Sequence, residues 1–147
     1  MDKLIYILLA IAAGSGLPIQ AGLNSKLAKI GGSPIYAAMI SFSVGVLLLC
    51  MFILFTSQNV SWKGLKDAPA YSWFGGLFGA FYVSVIIYCF PKIGPALAFS
   101  IIIAGQLLMS MLMEHFQVLG AQPHPINLGK IVGFLLIIGG VVLMKTF

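Results

Sequence analysis

Only three side chains in this chain are acidic, and one of them, Glu114, falls inside an apolar segment, directly before His115. A carboxylate held in lipid can carry a coupling proton. Its position near one end of its segment favours a competing role, an interfacial ion pair with Lys130, with His115, or with Lys92 of an inverted copy of the chain. Deeper in the apolar segments the polar groups are uncharged. Gln106 lies close to the middle of the fourth segment and Tyr82 close to the middle of the third. Gln20 and Asn24 follow Gly16 at spacing four, on one face of the first. Amides and a phenol at such depth are expensive and tend to serve function. They can hydrogen-bond a solute, and tyrosine adds a ring face. Gln106, Gln20, Asn24 and Tyr82 are therefore the candidate substrate contacts. Bonding between neighbouring helices competes for Gln20 and Asn24. Ser100 and Ser110 are weaker candidates, because a serine in a helix can bond to its own backbone.

The middle of the segments carries no lysine, arginine or carboxylate. Such a site suits neither a bare cation nor a strong anion. A small neutral, zwitterionic or weakly charged metabolite is expected, aromatic compounds included. No paired acids, nucleophile–base pair or metal-ligand cluster stands at one depth, so no catalytic residue, cofactor or metal is expected and an enzyme is disfavoured. Cys50 and Cys89 lie in apolar stretches without CxxC or CxxH spacing and are expected to be small buried thiols. His124, between Pro123 and Pro125, is expected to be a loop residue.

The segments that position these groups dominate the composition. Of 147 residues, 61% are apolar and 7% charged, and mean hydropathy is +1.09. This composition belongs in lipid. A membrane-spanning helix needs about 20 mostly apolar residues, and five such stretches are predicted, at roughly 4–29, 34–57, 71–90, 96–116 and 127–146. Gly31-Gly32-Ser33, a polar loop from Gln58 to Ala70, Pro91 to Pro95, and Gln117 to Ile126 connect them into one five-helix membrane domain over residues 1–147. Trp62, Trp73, Tyr6, Tyr36 and Tyr71 lie near segment ends, as interfacial aromatic anchors do. Ala10-Ile11-Ala12 has the form of a signal-peptide cleavage site, but the apolar run Leu4–Leu9 before it is too short for one. A retained first helix is expected.

All eight cations are lysines at the segment ends, a pattern of membrane anchors rather than of a nucleic-acid surface. With five spans, Lys3, Lys63, Lys66 and Lys130 fall on one side and Lys26, Lys29, Lys92 and Lys145 on the other. Loop lysines orient a membrane protein when they are unequal across the bilayer. Four against four predicts insertion both ways and pairing with an inverted copy into a ten-helix bundle, the inverted-repeat plan of secondary transporters. A separate partner of opposite orientation is the alternative.

Gly14, Gly16 and Pro18 weaken one turn of the first helix. Pro18 has no N–H for the Gly14 carbonyl, so a kink lining a cavity and serving as a hinge is expected there. Small residues at spacing four suit close helix packing in lipid. They occur as Ala37, Ser41 and Gly45, as Gly76, Ala80 and Ser84, and as Gly129 and Gly133, continued by Gly140. The last set is assigned to the dimer interface.

Pro18-x-Gln20-x-x-x-Asn24-x-x-Leu27, then Gly105-Gln106, then Glu114-His115-Phe116, and a closing helix containing Gly133 and Gly140 together resemble a known family. It is the short, five-helix YdcZ-like branch of the bacterial drug/metabolite transporter superfamily, and the resemblance covers essentially the whole chain. It implies a multi-pass protein of the bacterial inner membrane that works with an inverted copy or homologue, and it marks Gln20, Asn24, Gln106, Glu114 and His115 as family features. The similar small multidrug resistance proteins have four helices and a glutamate in the first, which has no counterpart here. The expected function is therefore secondary transport of a small metabolite or drug-like solute by alternating access. A non-transport membrane scaffold or subunit is the alternative.

Overall fold

The computed structural model of the chain describes residues 2–147, with side chains from residue 3 onward. Helix makes up 86% of the chain, which places it in the all-α class. Five stretches are long and apolar enough to cross a bilayer: Lys3–Gly31, Pro34–Thr56, Ala70–Ile93, Pro95–Phe116 and Leu128–Thr146.

Helix α1 (Asp2–Gly31) stays helical through Pro18, which has no N–H to donate to the Gly14 carbonyl. Gly32 (φ 74°) ends it in a left-handed conformation that suits glycine. Ser33 then caps α2 (Pro34–Thr56), its Oγ accepting the Tyr36 N–H at 3.4 Å, with Pro34 at the first helical position. The loop after α2 is not wholly irregular. Ser61 Oγ accepts the Gly64 N–H and starts the short α3 (Trp62–Lys66), and a 3-10 turn over Ala70–Phe74 leads into α4 (Gly75–Ile93). Helix α4 also continues past Pro91, expected to open a turn. It is Gly94 (φ 80°), followed by Pro95, that separates it from α5 (Pro95–Phe116). After a second 3-10 turn (Val118–Gly120), Asn127 caps α6 (Leu128–Thr146) by accepting the Lys130 N–H at 2.9 Å.

The chain forms two compact units, residues 1–92 and 93–147. In the first, α1 and α2 form a hairpin seam of small residues. Ala21, Asn24 and Ala28 are buried on α1, and Ala37 and Ala38 on α2. Helix α4 lays Val83 and Ile87 on this seam, with Leu27 and Tyr82 packed beside them. Phe90 covers Gly22 and Phe42 covers Gly79, each ring about where a Cβ would make ordinary contact. The face of α4 turned to the seam therefore runs through Gly79, Val83, Ile87 and Phe90. The stripe Gly76, Ala80, Ser84 is not that face, and Gly76 and Ala80 are exposed. Cys50, expected to be buried, is exposed on α2, while Cys89 is half-buried; both are free.

In the second unit α5 pairs with α6. Phe134, Ile137 and Val141 of α6 are half-buried, and among the described residues none of α6 is fully buried. Trp62, Trp73, Tyr36 and Tyr71 are exposed near helix ends, as interfacial anchors must be.

Candidate functional site

The first unit holds uncharged polar groups inside its core. The α1–α2 hairpin turns at Gly32 and Ser33, and its register brings Asn24 opposite Ser41, just as Ala28 meets the Ala37 and Ala38 end. Asn24 is 6% exposed and its Nδ2 donates to Ser41 Oγ at 3.2 Å. Each lies about two turns from the hairpin end of its helix, within the apolar zone. An amide bonded to a hydroxyl between helices is one of the few polar contacts that lipid tolerates. Tyr82 stands at the middle of the span Ala70–Ile93, packed on the core cluster. Its hydroxyl is buried and has no hydrogen-bond partner among the described residues. An O–H in that state costs about 1–3 kcal/mol, so it is a donor waiting for an acceptor.

Gln20 and Gln106 are exposed on the surfaces of α1 and α5, and among the described residues neither makes a hydrogen bond. Gly16, Gln20 and Asn24 thus share a helical row, but only Asn24 is turned inward. Gly14 and Gly16 have open space where a Cβ would stand, and Ser15 between them donates to the Ile11 carbonyl at 2.8 Å.

The second unit keeps its charges at the helix ends. Lys130 Nζ meets Glu114 Oε2 at 2.6 Å and also donates to the His124 carbonyl at 2.8 Å. The His124 N–H in turn reaches the Glu114 carbonyl at 3.4 Å. His115 takes no part in the ion pair. Its Nδ1 accepts the Ile126 N–H at 3.3 Å, and its ring meets Phe116 edge-on. Of the three partners open to Glu114, the structure uses Lys130, and His115 pins the loop instead. His124, expected to be a plain loop residue, joins the network through its backbone. Beneath the pair opens a cleft of about 290 Å³, walled by Leu107, Met111, Phe134 and Ile137. Ser100 Oγ lies 2.8 Å from both the Ala96 carbonyl and Met144 Sδ, so its hydroxyl is already satisfied locally. Gly133 and Gly140 have open space on α6, while Gly129 sits by its Asn127 cap.

Ser41 as the partner of Asn24 went unread in the sequence as a polar group, although hairpin register about Gly32 and Ser33 gives it. The Lys130–His124 bond had no sequence signal, because it depends on the path of an irregular loop.

Five apolar spans with few polar groups inside them, and lysines at the ends, define a multi-pass helical membrane protein. Residues 5–143 match the family described as "Putative inner membrane exporter, YdcZ", and the chain belongs to that family. It is 26% identical to the inner membrane protein YdcZ of Escherichia coli (strain K12) over 142 residues, which cover 95% of this chain and 94% of that protein. No solved structure matches the chain. It is therefore a multi-pass protein of the inner membrane, in a family described as exporters and not as enzymes.

Proposed function

We propose that the chain is a secondary transporter that exports a small neutral, zwitterionic or weakly charged solute by alternating access, as a pair of oppositely inserted copies. The observation that carries this reading is the Tyr82 hydroxyl, buried at mid-span with no acceptor among the described residues. A solute oxygen or nitrogen would satisfy it. The Asn24 amide offers neutral hydrogen bonding in the same unit. Gln106 and Gln20, exposed on spanning helices, complete the set, with Ser100 a minor contributor. In an inverted pair, two mid-span Gln106 side chains can face each other across the axis.

Equal lysine counts support the inverted pair. Helix α6, with no fully buried residue and its Gly133 and Gly140 open, supplies the contact between copies, extended by Gly129 at its start. The free space around Gly14 and Gly16 and the carbonyl left unbonded by Pro18 make that turn of α1 the hinge. Glu114, closed onto Lys130, acts as a structural ion pair rather than as the proton carrier.

The test is solute flux into vesicles containing purified protein, over a broad metabolite panel, with Tyr82→Phe alongside. Loss of one hydrogen bond of about 1.4 kcal/mol weakens solute binding roughly tenfold, while the fold, relieved of an unpaired hydroxyl, keeps or gains stability. Flux of no solute, or unchanged affinity in Tyr82→Phe, overturns the reading. Reporters fused to the C-terminus, one active only in the cytoplasm and one only outside, should both give signal. A single signal replaces the homodimer with an oppositely oriented partner chain.

A further inference from the structure

We propose that a cleft at the α1–α2 turn end of the first unit is a binding site for an anionic phospholipid, with Lys29 and Lys92 on its phosphate. The cleft measures about 270 Å³ and lies between α1, the start of α2 and the end of α4. Lys29 and Lys92 both line it, around a wall that includes buried Ala28 and Ile87. Lys92 Nζ stands 3.6 Å from the centroid of the Tyr88 ring, so a cation–π contact holds this ammonium on the cleft wall. No carboxylate lines the cleft, and among the described residues neither lysine forms a salt bridge.

Helix order explains the missing counter-ions. Asp2, Asp67 and Glu114, the only acids in the chain, all fall on the membrane side opposite Lys29 and Lys92. Lys130 has its carboxylate, whereas no acidic side chain falls on the side of these two lysines. Lysines at helix C-termini do complement the helix dipole and reach for the headgroups. That accounts for one lysine per helix end, but not for two converging on one walled cleft.

The phosphate belongs to a lipid rather than to a soluble ion because of what adjoins it. A second cleft of about 360 Å³ shares Pro34 and Tyr88 with the first and is bounded by Ile35 and Val85. Apart from Ser33 and Ser84 this wall is apolar, which suits part of an acyl chain and which free phosphate would leave empty. Basic pockets between spanning helices at the interface bind anionic headgroups through the same combination.

The experiment is native mass spectrometry of the full chain in detergent, titrated with phosphatidylglycerol or with phosphatidylcholine of the same chains. Phosphatidylglycerol should stay bound in preference. Lys29→Gln and Lys92→Gln should each weaken it roughly fivefold, and the double variant roughly 25-fold. Lys29→Arg with Lys92→Arg should restore binding, and Lys145→Gln should leave it unchanged. Equal retention of phosphatidylcholine, or wild-type affinity in the double glutamine variant, overturns the site. Displacement of the lipid by millimolar inorganic phosphate overturns the lipid assignment in favour of a soluble anion. Should a variant fail to fold, the wild-type chain decides alone: raised ionic strength must weaken phosphatidylglycerol and not phosphatidylcholine, and equal behaviour of the two sinks the proposal.

Discussion

The two units of this chain handle polarity in opposite ways. The first buries it without charge: Asn24 bonds Ser41 in the α1–α2 seam, and the Tyr82 hydroxyl is enclosed beside the same core. The second buries little and pushes its charges to the helix ends, where Glu114 and Lys130 close over an irregular loop. The difference follows from hairpin geometry. A turn as short as Gly32-Ser33 holds two helices in close register, so facing positions can be matched residue by residue. The longer connection between α5 and α6 gives no such register, and a pair of long, flexible charged side chains bridges it instead. Around Asn24 and Ser41, beyond the Gly14–Pro18 turn, the first unit is expected to be stiffer than the rim of the second, which is held by an ion pair.

The sharpest way to break this contrast is to truncate one large apolar side chain in each unit. Ile87 is 1% exposed, and Leu135, on α6 and off the Gly133–Gly140 face, is 59% exposed. Ile87→Ala should destabilise the first unit by about 2–5 kcal/mol through lost burial and the cavity left behind, whereas Leu135→Ala should be close to neutral. Unfolding in mixed micelles measures both. Comparable losses would mean that α6 is covered to the same degree as α4, and the contrast would fail.

Much of this architecture is legible in the sequence, because lipid enforces long apolar runs and punctuates them with Gly, Pro and polar turns. Span ends differ by a few residues from those expected, most clearly at Pro91, where a turn is expected and α4 continues to Ile93. Pro18 and Pro91 both lie inside helices, since a proline removes one hydrogen bond and in a membrane helix need not end it. The family resemblance, resting on Asn24, Gln106 and the Glu114-His115-Phe116 run, agrees with the match over residues 5–143. Depth along the helix could be read for Asn24, Tyr82 and Gln106, but rotation about its axis could not. Asn24 is turned inward while Gln20, one turn earlier, is exposed, and a row at spacing four cannot foretell that difference. Partners across a hairpin follow from register, as Ser41 does for Asn24. Partners across an irregular loop, such as the His124 carbonyl for Lys130, do not.

A smaller effect sharpens the comparison within the first unit. A double-mutant cycle on Asn24→Ala and Ser41→Ala should give a coupling energy of about 0.6 kcal/mol, with about 1.7 as an upper bound for side-chain hydrogen bonds between membrane helices. Unfolding of the two single variants and the double variant supplies it. Strictly additive effects would mean that Asn24 and Ser41 pack without bonding, and that the amide is wholly available to a solute.

The smallest stability effect is expected at the ion pair, though its local signature should be the clearest. Both partners are partly exposed, at 26% and 40% for the lysine and glutamate side chains, and exposed pairs contribute little to global stability. Lys130→Ala should therefore leave the unfolding midpoint nearly unchanged. It also removes the bond to the His124 carbonyl, so the segment 117–126 loses the side-chain anchor that ties it to α6. His115, bonded to the Ile126 N–H, then holds the loop from the α5 side alone. Amide hydrogen exchange should accelerate in 117–127, and stay unchanged around Asn24 and Ser41. Lys130→Arg, which keeps the charge and the donors, should preserve protection. If exchange rises equally in both units, the ion pair supports the whole chain and not one rim of it, and the division between a stiff unit and an openable one would have to be given up.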